Sequence, residues 1–234
     1  MQRLTVERMT TIISPPEPQL LDTCVLQNLD WIDRKLEQND VVAWDDESIK
    51  ALRDQYGYEL ASDLLDLGTL YKGFEYRGGY PWLVCDHSLT EIRKTRGNRL
   101  ERLEGINHFI NGFLEEKSCD SFPGVAAGLL KADNLDSVSS VLLTGLGLVR
   151  AVDMFLTNGP LSFLPDHGDR VIAGHAIFAN VPVVLTTDRT TFWKHRERLA
   201  AFGLRVMRPT ELLSLYEPYW AANESPFIDS KPDA

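Results

Sequence analysis

DRVIAGHAIFANVPVVLTTDRTTFWKHRERLAAFGLRVMRPTELLSLY, Asp169–Tyr216, alternates helical and strand periodicity more clearly than any other part of the chain. DRVIAGHAIFAN sets Val171, Ile172 and Ala176 on one stripe of a helix. VPVVLTTD is a continuous apolar run of strand length that stops on Asp188, and RTTFWKHRERLAAFG reads as a helix with Gly203 at its C′ position. LRVM is a short strand, and PTELLSLY a last helix with Thr210 as its cap. Strands alternating with helices of this length predict an α/β fold, a parallel sheet covered by helices on both faces.

The same grammar extends towards the N-terminus. WLVCDHS, from Trp82, is a strand leading into one helix, TEIRKTRGNRLERLEGINHFI. Leu20 to Val25, after the Pro-rich SPPEP, suits a first buried parallel strand, because it has few polar residues until Asp22. A short amphipathic helix follows over Asp30–Leu36. Ile49, Leu52, Tyr56, Leu60, Leu64 and Leu67 then recur at helical spacing, which predicts one or two helices between Asp45 and Leu70. Tyr76–Pro81 is a turn, and VLLTGLGLVRAVDMFL around Leu142 an internal helix. The expected organisation is one domain over residues 1–220, with helical insertions at about 38–80 and 103–165 and a loose tail at 221–234.

Composition narrows the class. With 234 residues, 44% hydrophobic and 25% charged, the chain has the make-up of a globular protein with a sizeable core. Cys24, Cys85 and Cys119 are odd in number and form no C-x-x-C pair, which fits neither a disulfide framework nor a zinc knuckle, so a reducing cytoplasm is the expected compartment. No stretch has the continuous apolar character of a signal peptide or membrane span. A net charge of −10 argues against a chain that binds nucleic acid with its whole surface. The cations are nonetheless clustered. Arg93, Lys94, Arg96, Arg99 and Arg102 crowd one segment, and Arg189, Lys194, Arg196, Arg198, Arg205 and Arg208 another.

Acids fall at telling places. In a parallel sheet with right-handed crossovers, all strand C-termini lie along one edge, where ligands bind. Asp22 and Asp188 both stand where an apolar strand gives out, Asp169 opens the helix that leads into the strand ending at Asp188, and Glu91 lies one helical turn after WLVCD. Converging carboxylates repel one another unless a cation neutralises them, and hard oxygen ligands select Mg2+ or Mn2+. Such an ion keeps positions for phosphate oxygens, which is the machinery of phosphodiester hydrolysis.

LLDTCVL, SLTEIRK, GDRVIAGHA and VVLTTDRTTFWKHR together resemble the four motifs of the PIN-domain ribonucleases. The match covers roughly Leu20–Thr23, Ser88–Lys94 and Gly168–Leu213. The resemblance implies a three-layer α/β/α fold and a metal-dependent endoribonuclease acting on single-stranded or structured RNA. It also implies that Asp22, Glu91, Asp169 and Asp188 bind the metal and carry catalysis, with Thr186 or Thr23 orienting them. Arg93, Lys94, Arg189 and Lys194, adjacent to the motif acids, would then touch the RNA backbone. In the toxin branch of that family the resemblance further implies a small cognate antitoxin and a homodimer.

This chain departs from the family in two respects. Thr190 and Thr191 stand where many relatives carry an extra acid, and the chain is longer than a typical stand-alone toxin of that family. The missing acid keeps a second reading open, a catalytically degenerate PIN fold acting as an RNA-binding or assembly module. A phosphatase with a nucleophilic aspartate is a third, disfavoured because Cys24 occupies the place of its second acid. Asp22 and Asp169 also suit plain helix caps, Asp86 or Glu101 could replace Glu91, and Asp166 competes with Asp169.

Overall fold

The structure, a computed structural model, describes residues 16–38, 44–77, 82–117 and 158–223. Four short strands form one sheet: β1 (Gln19–Leu21), β2 (Trp82–Leu83), β3 (Val183–Leu185) and β4 (Arg205–Met207). Their order is β2-β1-β3-β4 and every pair is parallel. Leu20 lies opposite Leu83 on one side and Val184 on the other, and Val184 opposite Val206. The expected α/β architecture is therefore present, and each crossover contains at least one helix among the described residues.

Among the described residues the helices are α1 (Thr23–Gln38), α2 (Asp46–Tyr56), α3 (Tyr58–Arg77), α4 (Asp86–Arg93), α5 (Asn98–Lys117), α6 (His167–Phe178), α7 (Arg196–Ala200) and α8 (Pro209–Asn223). Side chains alternate across the strands, so each face of the sheet feeds its own core. Leu21, Trp82 and Leu185 point to one side, where Leu29 and Ile32 of α1, Leu67 and Leu70 of α3, Ile106 of α5 and Tyr216 of α8 pack on them. Leu20, Leu83, Val184 and Val206 point to the other, against Ile172, Ala173 and Ala176 of α6 and Leu199 of α7. Fully burying each such side chain contributes roughly 1.5–3 kcal/mol, so the two cores are the main support of the site at the sheet edge. α3, expected within an insertion, supplies this principal core directly. No described helix is long and apolar enough to cross a membrane.

Several boundaries differ from the sequence expectation. The first strand ends at Leu21, not Val25: helix α1 starts at Thr23, where Val25, Leu26, Leu29 and Ile32 fall on one buried stripe. The apolar run had two periods in it. Likewise α1 spans 16 residues where a short helix was expected from Asp30. The single helix expected after WLVCD breaks into α4 and α5 at Gly97, whose φ of 67° lies in the left-handed region that a side chain disfavours.

The segment after Asp188 is not one helix either. It comprises a threonine turn, a 3-10 turn at Trp193–His195, then α7 of only five residues. Gly203 does take a positive φ, 78°. Thr210 is not the cap of α8, which begins at Pro209 and receives a reach-back bond from the Arg208 amide to Glu211 Oε2 at 3.0 Å. Its hydroxyl instead donates to Asp63 at 2.8 Å. α8 runs on to Asn223, into the stretch expected as tail, and α3 covers Tyr76 and Arg77. The internal helix expected around Leu142 and residues 78–81 lie outside the described residues.

Candidate metal centre

β1 and β3 are neighbours, and both hand the chain on at the same sheet edge. Asp22 follows β1 directly and its amide donates to Leu185 O at 3.0 Å, which locks the two strand ends together. Asp22 is 5% exposed. Its Oδ2 accepts from the Thr186 hydroxyl at 2.6 Å and from Cys24 Sγ at 2.9 Å, and the Cys24 amide adds a further bond, so this acid also caps α1. Burial raises its carboxyl above the ordinary 3.8, opposed by the bonds from Cys24 and Thr186 and reinforced by Asp188. Cys24 is a free thiol held well above its usual pKa by burial and the Asp22 charge, which makes it a hydrogen-bond donor here rather than a nucleophile.

Asp188 follows β3 through Thr186 and Thr187. Thr186 joins the two acids, donating to Asp22 while accepting from the Asp188 amide at 2.9 Å. Asp188 Oδ1 takes the amide and hydroxyl of Thr190 at 2.8 and 2.6 Å. Its Oδ2 takes the Thr191 amide at 2.9 Å and the Thr191 hydroxyl. The two threonines that stand in place of an acid therefore satisfy Asp188. The Thr191 side chain also lies close enough to Asp169 to lower that carboxyl's pKa, a position between the two acids that the sequence reading missed. The signal available was the T-D-x-T-T spacing, which is that of an Asx turn.

Asp169 lies in the first turn of α6, while the cap of that helix is Asp166, whose Oδ1 accepts from the Gly168 and Asp169 amides at 2.6 and 3.3 Å. Capping thus occupies Asp166 and leaves the Asp169 carboxyl to face the other acids. Burial, then the charges of Asp22, Asp166 and Asp188, push Asp169 up to about 7, with the Thr191 side chain acting the other way. Three of the four anticipated acids accordingly sense one another.

Glu91 comes in from the side on α4. It accepts the Thr23 hydroxyl at 2.6 Å, and Thr23 itself is 3.1 Å from Ser88 Oγ. His87 Nε2 stands 3.6 Å from Glu91 Oε1. α4 and α6 meet at Gly168: a Cβ there would lie 2.8 Å from His87 Nε2 and 2.9 Å from Asp166 Oδ1, so any larger residue would displace the His87 ring and the capping carboxylate. Glu91 is thereby tied to the residues next to Asp22 and Asp169. Of its two rivals, Glu101 is exposed on α5 and Asp86 opens α4.

The donor chemistry suits a hard divalent ion, for desolvated carboxylates that raise one another's pKa are relieved by added positive charge. Among the described residues, however, no three His, Cys, Asp or Glu side chains already stand as a set able to grip one ion. Of the cations expected to meet RNA, Arg93, Lys94 and Lys194 are exposed. Arg189 is not open in the same way: its guanidinium pairs with Glu59 and lies 4.0 Å from the buried Asp63. No family model, curated protein or solved structure matches the chain.

Proposed function

We propose that the chain is a metal-dependent endoribonuclease of PIN type, with Asp22, Asp169 and Asp188 as the principal ligands and Glu91 completing the site. The observation that carries this reading is that acids following two adjacent parallel strands and an acid in the first turn of α6 influence one another at a single sheet edge. A Mg2+ or Mn2+ ion held there supplies charge neutralisation and a Lewis-acid contact for a phosphate oxygen. The chain's own part is positioning. Thr186 fixes the Asp22 rotamer and the Asp188 backbone at once, Thr191 spans Asp188 and Asp169, and Thr23 orients Glu91. Arg93, Lys94 and Lys194 lie near the motif acids in sequence and are free to meet the backbone of an RNA strand.

The test is cleavage of single-stranded RNA by purified protein with Mn2+, beside Asp22→Asn and Asp188→Asn. Metal-dependent cleavage that falls about a thousandfold in both variants supports the reading; equal behaviour of all three proteins defeats it. One observation favours a second reading, an RNA-binding module without hydrolysis. Both oxygens of Asp188 already accept bonds from Thr190 and Thr191. RNA binding with no cleavage under any divalent ion would select it.

A further inference from the structure

The helices that lengthen the chain between β1 and β2 enclose an open cleft of about 480 Å³ beside the acid edge. Gln27, Asn28, Trp31 and Arg34 of α1 line one wall, Tyr56 of α2 and Arg99 of α5 the others, over an aliphatic floor from α3. That size is within the usual range of small-ligand sites. Gln27, Asn28, Trp31 and Arg34 recur at three- and four-residue intervals, so they share one face of α1.

The chemistry of this lining is specific. Trp31 is half-buried, packed nearly parallel on Trp44 (6.0 Å between centroids, 21°) and edge-on with Tyr56 (6.0 Å, 86°). It is a rigid aromatic surface with neighbours that hold its plane. Gln27 and Asn28 bring amides, which both donate and accept. Among the described residues, Arg34, Arg99 and Arg102 all converge on Asp30, at 3.6, 3.4 and 2.6 Å. One carboxylate against three guanidiniums leaves two charges uncompensated within that group. Arg102 holds the shortest contact, whereas Arg34 and Arg99, with side chains 40% and 46% exposed, face the cleft. A chain of net charge −10 has concentrated cations where a flat aromatic and two amides meet. An aromatic face for a base, amides for its edge and guanidiniums for a phosphate are the parts of a nucleotide site.

The cleft is also joined to the acids. Asn28 Nδ2 donates to Thr187 Oγ1 at 2.8 Å, and Thr187 immediately precedes Asp188. Asn28 lies six residues beyond Asp22, about 9 Å along the helix at 1.5 Å per residue. We propose that this cleft binds one unpaired nucleotide of an RNA strand, its base against Trp31 and Tyr56 and its phosphate between Arg34 and Arg99, so that the adjoining phosphodiester is led to the acid edge. The inference rests on the nuclease reading for its substrate and explains what α2 and α3 contribute to it.

Binding is measured without hydrolysis, by anisotropy of a fluorescein-labelled twelve-nucleotide single-stranded RNA with the full chain in EDTA. The double variant R34Q/R99Q is expected to lose tenfold or more in affinity and to flatten the salt dependence by one to two phosphate contacts. Trp31→Leu, which keeps an apolar side chain, is expected to lose about tenfold with the salt slope unchanged. Arg102 still holds Asp30 in the double variant, and thermal melts confirm that both variants fold. An unlabelled mononucleotide is expected to compete only weakly. Loss below twofold in both variants, no binding by the wild type, or displacement by mononucleotide as effective as by the strand overturns the proposal. Cleavage assays with Mn2+ separate the two ideas: intact binding changes with no effect of Asp22→Asn on cleavage sink the nuclease and spare the cleft, and the reverse pattern sinks the cleft alone.

Discussion

Asp30 and Asp63 are buried among arginines, whereas Asp22 is buried, and Asp169 half-buried, among hydroxyls and other acids. Asp30 is fully buried and faces Arg34, Arg99 and Arg102; Asp63, also fully buried, faces Arg189 and Arg208 and accepts from Thr210. Burial raises Asp63, but Thr210, Arg208 and Arg189 pull it back. Among the described residues no arginine or lysine pairs with Asp22, Asp169 or Asp188. Desolvating a carboxylate costs the fold free energy in both regions; in the first that cost is opposed by guanidinium charge, in the second by hydroxyl, thiol and amide donors without any opposite charge. Acids that raise one another's pKa with no cationic partner among the described residues are what the proposed metal site would require.

The same substitution made in each region is expected to act in opposite directions. Asp22→Asn is expected to cut metal-dependent RNA cleavage about a thousandfold, ~4 kcal/mol of transition-state stabilisation. Its urea midpoint without metal is expected to be unchanged or higher, because the amide keeps the shape and removes a desolvated, repelled charge. Asp30→Asn is expected to do the opposite to stability, costing about 2 kcal/mol. A fully buried pair that loses one partner costs roughly 3–5 kcal/mol, but these arginines are 31–46% exposed and regain water. Equal destabilisation by both substitutions would erase the distinction.

What the sequence made legible follows the same division. The parallel sheet, the strands around Val184 and Val206, and the acids after β1 and β3 were readable because buried strands and their ends leave a local pattern. Where two periods shared one apolar run, as at Leu20–Val25, the helix start was hidden behind the strand. Thr210 illustrates the other failure: its partner Asp63 is 147 positions away, and no local rule pairs them. Adjacency to Asp188 points Arg189 at RNA, yet Glu59 and Asp63 from α3 pair with it. The cleft on α1 was invisible for the same reason, since its walls come from four helices.

The pH dependence of stability distinguishes the regions by sign. An unfolded aspartate titrates near 3.8, and Asp169 in the fold at about 7. Between those values the folded chain keeps a proton that the unfolded chain has released. The group's contribution to stability is therefore fully present below the unfolded pKa and lost as pH rises through 7. Wild type without metal is expected to lose stability relative to Asp169→Asn as pH rises from 4 to 8, in paired urea titrations. Saturating Mn2+ is expected to abolish or reverse this trend, since ligation favours the ionised carboxylate. A difference that stays flat across that range would show that burial and the neighbouring acids do not hold the Asp169 carboxyl up.

The smallest effect belongs to Thr191, and it decides what replaced the missing acid. Its hydroxyl donates to Asp188 and also lies close enough to Asp169 to lower that carboxyl's pKa, so Thr191→Val removes the donor to Asp188 and a polar neighbour of Asp169 while preserving volume and the backbone amide bond to Asp188. The loss is expected to be about 1 kcal/mol in stability without metal, and tenfold or more in Mn2+ affinity if the threonine positions those acids for an ion. Thr191→Asp tests the converse. An added acid raises repulsion in the metal-free chain and lowers its melting temperature, yet it supplies another hard ligand, so Mn2+ is expected to restore more stability to this variant than to wild type. If Mn2+ shifts both melting temperatures equally, the threonine turn serves only to close the loop after β3, and the acids of this edge do not act as one set.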